Sequence, residues 1–182
     1  MAASNQGETT TMTAMTRPLF VYLGGALLLL SAAAPVGATC DSSQPTRTPT
    51  ARYVIKDGAV YDKKTDLTWQ RCSLGQRWEN EVGCVGVITQ LTWDDAKAAG
   101  TDGWRLPTRD ELATLVSPTC KQPAINEESF PDMDLGKLWY WTSSESGEYL
   151  AWLVNFADGH FASYDRSDVG ALRLVRSGVV KP

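Results

Sequence analysis

The sequence predicts an α+β domain built from antiparallel sheet, two short helices and long loops, and stapled by disulfides. Three observations predict it. Strand-like segments occupy residues 53–69 and 138–176, and helix-entry signals occur only between them, an order that segregates helices from sheet. The four cysteines form an even set, Cys40, Cys72, Cys84 and Cys120, beyond an export-type N-terminus. All seven tryptophans, from Trp69 to Trp152, lie beyond residue 38 and supply large apolar surface to a small core.

Each element has a local reason. Tyr53-Val54-Ile55 and Ala59-Val60-Tyr61 flank Lys56-Asp57-Gly58, and an Asp-Gly pair suits the positive φ of a tight hairpin. Asp62 to Asp66 is a charged turn, and Leu67-Thr68-Trp69 a short strand. Thr92 opens a helix with Asp94 and Asp95 in its first turn, where carboxylates suit the helix dipole, and Gly100 closes it. Thr108-Arg109-Asp110-Glu111 has the pattern of a capping box, followed by an apolar stripe of Leu112, Leu115 and Val116. Strands are then expected over 138–142, 149–156, 160–164 and 171–176, with a hairpin turn at Ala157-Asp158-Gly159.

The N-terminus directs the chain out of the cytoplasm. Arg17 precedes an apolar run from Leu19 to Ala34, and Val36-Gly37-Ala38 follows it. That order is a secretory signal, and the run, at about 16 residues, is short of the length a spanning helix needs. Met15-Thr16-Arg17 offers a more ordinary signal start than Met1. Thr39 makes a poor exit for lipid attachment at Cys40. The organisation is therefore a cleavable signal over 1–38, a polar Pro/Thr-rich arm over 39–51, a domain over 52–177 and a tail over 178–182. The mature part keeps the net charge of −4, since the signal carries only Glu8 and Arg17. A mild acidic balance without a basic run argues against nucleic acid and anionic membranes as partners.

Four cysteines allow three pairings. Cys72 and Cys84 flank a short polar, Gly-containing loop and are natural mates, which leaves Cys40 to tie the arm to Cys120. Zinc is disfavoured, because there is no Cys-x-x-Cys and His160 is the only histidine.

Signals of catalysis are sparse. One histidine cannot be assigned to a Ser–His–acid relay from spacing, and no Gly-rich phosphate loop occurs. Glu127-Glu128 and Asp132 with Asp134 read as solvated acidic loops. The second pair begins like a calcium loop but lacks its remaining ligands. Trp69, Trp93, Trp104 and Trp152 are expected in the core. Trp139 and Trp141 share a strand face opposite Tyr140, with core packing as the first reading and sugar stacking as the second. Strand parity sets Trp152, Val154 and Phe156 inward and Leu153 and Asn155 outward. On the return strand it sets Phe161 inward, and His160, Ala162 and Tyr164 outward. With Asp158, Asp165 and Arg166 these outward residues compose a mixed aromatic, amide and charged recognition face. The candidate binding residues are thus Leu153, Asn155, Asp158, His160, Tyr164, Asp165 and Arg166, with no catalytic residue, metal or cofactor.

The segments Leu67-Thr68-Trp69-Gln70-Arg71-Cys72-Ser73-Leu74-Gly75-Gln76, Gly103-Trp104-Arg105-Leu106-Pro107-Thr108-Arg109-Asp110-Glu111-Leu112 and Pro123-Ala124-Ile125-Asn126 resemble those of the Lcl C-terminal domain family. So do Phe130-Pro131, Trp141-Thr142-Ser143-Ser144 and the closing Leu172-Arg173-Leu174-Val175-Arg176. The resemblance implies a C-type-lectin-like fold of the formylglycine-generating branch, in exported or surface proteins. The name-giving member is an adhesin for sulfated polysaccharides, and relatives of the fold display variable ligand-binding strands ahead of the closing segment. Collagen-like repeats and the calcium-lectin tripeptide Glu-Pro-Asn are absent here. The resulting expectation is a non-catalytic binding or adhesion module, periplasmic, secreted or on the cell surface. Its ligand is an extracellular or envelope glycan, another surface polymer or a protein. The alternatives are an enzyme of the formylglycine-generating branch and a structural component of an envelope assembly.

Overall fold

The computed structural model describes residues 38–44, 46–132 and 138–179. The signal expected over 1–38, all but its last residue, lies outside the described residues, as do Asp134 and the last three positions. In chain order the elements are β1 (Thr39–Cys40), β2 (Tyr53–Lys56), β3 (Ala59–Asp62), β4 (Leu67–Gln70), β5 (Gln76–Glu79), β6 (Gly83–Gly86) and β7 (Gln90–Leu91). The two helices follow, α1 (Trp93–Ala98) and α2 (Arg109–Ala113). The remaining strands are β8 (Cys120–Lys121), β9 (Trp139–Glu145), β10 (Leu150–Asn155), β11 (His160–Asp165), β12 (Gly170–Ala171) and β13 (Val175–Ser177).

This is an α+β domain dominated by sheet. A five-stranded sheet runs β11-β10-β9-β12-β7 and a four-stranded one β13-β4-β3-β2, beside the hairpin β5-β6 and the short pair β1-β8. The β2-β3 hairpin turns at Asp57, whose φ of 48° is in the left-handed region that short polar side chains tolerate. Pairing within the large sheet is antiparallel except between β12 and β9.

The second helix starts as its sequence implies. The Glu111 amide donates to Thr108 Oγ1 at 3.2 Å, and the Thr108 amide donates to Glu111 Oε2 at 2.8 Å. Arg105 then grips the same carboxylate with two N–H groups, at 2.8 and 2.6 Å. That grip holds the Glu111 carboxyl below its usual range, and the Thr108 amide adds to the effect. The first helix begins after Thr92 as expected, with Asp94 and Asp95 in its first turn, and differs at its end. The Thr92 hydroxyl turns to Asp95 Oδ2 at 2.7 Å and caps no backbone amide. Ala99 ends the helix, and Gly100 is small for another reason: a Cβ there would stand 2.3 Å from the Trp104 carbonyl oxygen.

The segment expected as one strand over 171–176 divides. Its start pairs with β9 and β7, while its end pairs with β4 in the other sheet. Between them the Leu74 and Gln70 amides donate to the Leu172 and Leu174 carbonyls, each at 2.9 Å. The alternation of this bridge places its side chains in different surroundings. Leu172 and Leu174 join an apolar cluster with Trp93, Ala96, Leu106, Trp141, Ala151 and Leu153. Arg173 instead lies 5.0 Å from the Phe130 ring and near Tyr140, within the second cluster, which also holds Trp69, Leu112, Leu115 and Val154. Each face of the β9–β10 sheet thus carries its own apolar cluster.

Disulfides join Cys40 to Cys120 and Cys72 to Cys84, and no cysteine is free. Such bonds suit an oxidising compartment. The expected polar loop between Cys72 and Cys84 contains the β5-β6 hairpin, with Cys84 in its second strand. The arm is stitched down as well: β1 pairs with β8, and Asn126 Nδ2 donates to the Thr48 carbonyl at 3.0 Å. Glu128 serves the arm, accepting from the Thr50 hydroxyl at 2.8 Å, and Glu127 accepts from the Ala38 amide just before it at 2.9 Å. Among the described residues, no helix is long and apolar enough to cross a membrane.

Candidate functional site

Register sets the geometry of the site. Trp139 lies opposite Asn155, and Asn155 opposite His160; Trp141 lies opposite Leu153, and Leu153 opposite Ala162; Tyr164 lies opposite Ala151. Directly opposed residues share a face, so these form one surface of the sheet, as parity implies. Its Trp141 end is roofed by the Trp93–Leu172 cluster, and the Trp141 Nε1–H donates to the Leu91 carbonyl at 2.9 Å. Trp139 packs on the rim of that cluster and is only half-buried.

The crossover from β11 to β12 passes over this face. Gly170 rests on the indole of Trp141, and a Cβ there would stand 2.8 Å from Cδ1 and Nε1 and 3.0 Å from Leu153 Cδ2. Just before it, Asp168 and Val169 face Trp139 and Tyr164 across a groove of about 330 Å³ with Leu153 among its lining. The Trp139 and Tyr164 rings lie 5.3 Å apart, tilted by 54°. Val169 is 59% exposed and Tyr164 39%, so apolar and aromatic surface meets solvent here. Among the described residues Asp168 has no ion-pair partner.

The candidate residues divide by what their side chains touch. Tyr164 and Leu153 line the groove. Leu153 was expected outward and is buried at 2%, because α1 and the 172–174 bridge cover a face that local parity leaves open. Asn155 is corrected likewise. It is 8% exposed, and its Oδ1 accepts from the Ala157 amide at 2.8 Å while its carbonyl accepts from Gly159, which shapes the hairpin turn. At the tip, Asp158 accepts from the His160 amide at 3.0 Å and pairs with its Nδ1 at 2.6 Å. The backbone contact, outweighing a small burial effect, keeps the Asp158 carboxyl below its ordinary range. His160 itself is well exposed.

Asp165 and Arg166 stand outside the groove lining. Asp165 accepts from the Ser167 amide and hydroxyl at 2.9 and 2.7 Å, which lower its pKa and close the turn after β11. Arg166 is held by the Gly147 carbonyl at 3.0 Å, by Glu145 at 3.2 Å and by the Trp93 ring at 4.3 Å. Sequence reasoning assigned Trp139 first to the core and did not single out Asp168 or Val169. Trp141 is wholly buried, whereas Trp139, two residues nearer the strand's start, is only half-buried. The pair of indoles on one strand face was the available signal. The crossover that adds Asp168 and Val169 depends on long-range topology.

Asp132, expected in a solvated acidic loop, is instead enclosed. Asp132 forms a wholly buried ion pair with Arg173 and accepts from the Ser73 amide at 2.5 Å. Arg173 also donates to the Gln70 and Arg71 carbonyls, at 2.8 and 2.6 Å. Among the described residues no three His, Cys, Asp or Glu side chains gather as a metal site.

The family model described as the Lcl C-terminal domain matches residues 58–176. No curated protein matches the chain.

Proposed function

This chain belongs to the Lcl C-terminal domain family, and from that premise we propose that it is an exported, non-catalytic binding module. Its binding face is the Trp139–Tyr164 groove, and its ligand is a glycan or another cell-surface polymer. We read the fold as C-type-lectin-like, of the formylglycine-generating branch. The β9–β11 meander and the closing strand β13 pairing back onto β4 support that reading.

One observation carries the functional reading: an aromatic pair stands half open to solvent beside the part of the face that α1 and the 172–174 bridge seal. Apolar and aromatic surface at the mouth of a shallow cavity is a usual feature of ligand sites, and aromatic side chains anchor them at little entropic cost. The segments that carry the family resemblance do not line the groove. They build the scaffold, as Arg105 does on Glu111 and Arg173 on Asp132. All four cysteines are engaged in disulfides, so the groove has no thiol for covalent chemistry. The apolar run over 19–34, the Val36-Gly37-Ala38 exit and the two disulfides support export.

The test is binding of the mature domain, residues 39–182, to an array of glycans and envelope polymers. Retention of at least one polymer class is expected, with loss in the Trp139→Ala/Tyr164→Ala double variant. A domain that binds no polymer, or whose binding survives the double variant, would overturn the reading.

A further inference from the structure

The seven indoles of this chain fall into three groups. Trp69 and Trp141 are wholly buried. Four others carry a cation of the chain itself on or beside the ring. Arg71 stands 3.5 Å from Trp78, Arg109 4.1 Å from Trp152 and Arg176 4.6 Å from Trp104. Lys97 and Arg166 each stand 4.3 Å from Trp93. Trp139 is the seventh. Among the described residues no cation lies over its ring or over that of its neighbour Tyr164.

The surroundings of Trp139 favour a positive charge from outside. Aromatic faces are electrically negative and attract cations, indole most strongly. Asp168 brings a carboxylate to the same groove, and among the described residues no cation pairs with it. Leu153 and Val169 complete the lining with apolar surface, which thins the water around a bound charge and strengthens both attractions. The nearest arginine in sequence, Arg166, is held by Glu145, Gly147 and Trp93.

We propose that the groove formed by Trp139, Tyr164 and Asp168 receives an ammonium group of the ligand, primary or quaternary. This deepens the reading of the groove as the binding face and rests on it. The occupant is a small cationic head seated on the two rings, with the carboxylate of Asp168 alongside.

The probes are choline, propylammonium and the neutral isostere of choline in which a tert-butyl group replaces trimethylammonium. Each is titrated into the mature domain by calorimetry and tryptophan fluorescence. Choline or propylammonium should saturate the domain at least about fivefold more tightly than the neutral isostere, the scale of one good cation–aromatic contact. Trp139→Leu, which keeps apolar bulk and removes the ring, should abolish that preference. Asp168→Asn should weaken the cations about threefold or more and leave the isostere unchanged. Lys137 lies outside the described residues, so Lys137→Gln is titrated in parallel, and tighter cation binding there would also support a cation site.

Equal affinity for cation and isostere, or no saturable cation binding in either the native domain or Lys137→Gln, would overturn the proposal. A polymer retained through Trp139 alongside either result would leave the binding-module reading standing and remove only the ammonium. Failure of both would remove both.

Discussion

The two faces of the β9–β10 sheet are closed to different degrees. The Tyr140 face is closed over Tyr140, Val154 and Phe156, and Arg109 lies over its partly buried Trp152 and Phe161 rings. Phe130, Leu112, Leu115 and Val154 pack around Tyr140, and the buried charge of Arg173 is answered by Asp132 and by two backbone carbonyls. The Trp139 face is sealed only under α1 and the 172–174 bridge, and beyond Trp141 it opens into a groove. The residues of the family-resembling segments serve closure, and the residues that line the groove come from outside those segments. The scaffold and the proposed recognition groove are thus built from separate residues, and substitutions should sort accordingly.

The largest effect is expected on the sealed side. Arg173→Met would leave the Asp132 carboxylate buried without its cation, at a cost of about 3–5 kcal/mol. Urea unfolding at neutral pH measures it; a loss under about 1 kcal/mol would mean that the pair is not the closure argued here.

An intermediate effect belongs to the boundary between closed and open. Gly170→Ala places a methyl against the rigid Trp141 indole and should cost about 1–3 kcal/mol through overpacking. Because the same crossover carries Asp168 and Val169, near-ultraviolet circular dichroism of the variant should change too. An unchanged melting point and spectrum would show that the crossover yields freely.

The smallest effect on stability is expected in the groove. Trp139→Ala should shift the unfolding free energy by about 1 kcal/mol or less beyond its lost apolar contact, while abolishing polymer retention. Destabilisation on the scale of Arg173→Met would erase the distinction between the faces.

Legibility from sequence followed the range of the interactions. The Thr108–Glu111 box and the Asp57 turn were readable because every partner lies within a few residues. Strand parity correctly grouped Leu153, Asn155, His160, Ala162 and Tyr164 on one face, since alternation is a property of the backbone. What parity could not supply was the cover. Leu153 is buried by α1 and the bridge, whose placement depends on contacts far along the chain. The same limit hid the partner of Arg173, since nothing local links it to Asp132. It also hid the β5-β6 hairpin, whose strands lack an alternating apolar pattern. In the groove, Tyr164 and Leu153 were legible and Asp168 and Val169 were not, because a crossover brings them there.

The Cys40–Cys120 bond also decides how the domain bears load. It bridges 80 positions of sequence, a span that holds both helices, the β2-β4 strands and the second disulfide. A pull applied at the N-terminal arm passes through the bond to Cys120 and on toward the β9–β11 meander. The strands and helices between the two cysteines lie off that covalent path and cannot be drawn out end to end while the bond is intact. A domain tethered by its N-terminal arm while its groove grips a polymer would therefore transmit tension between tether and ligand through about one third of its chain.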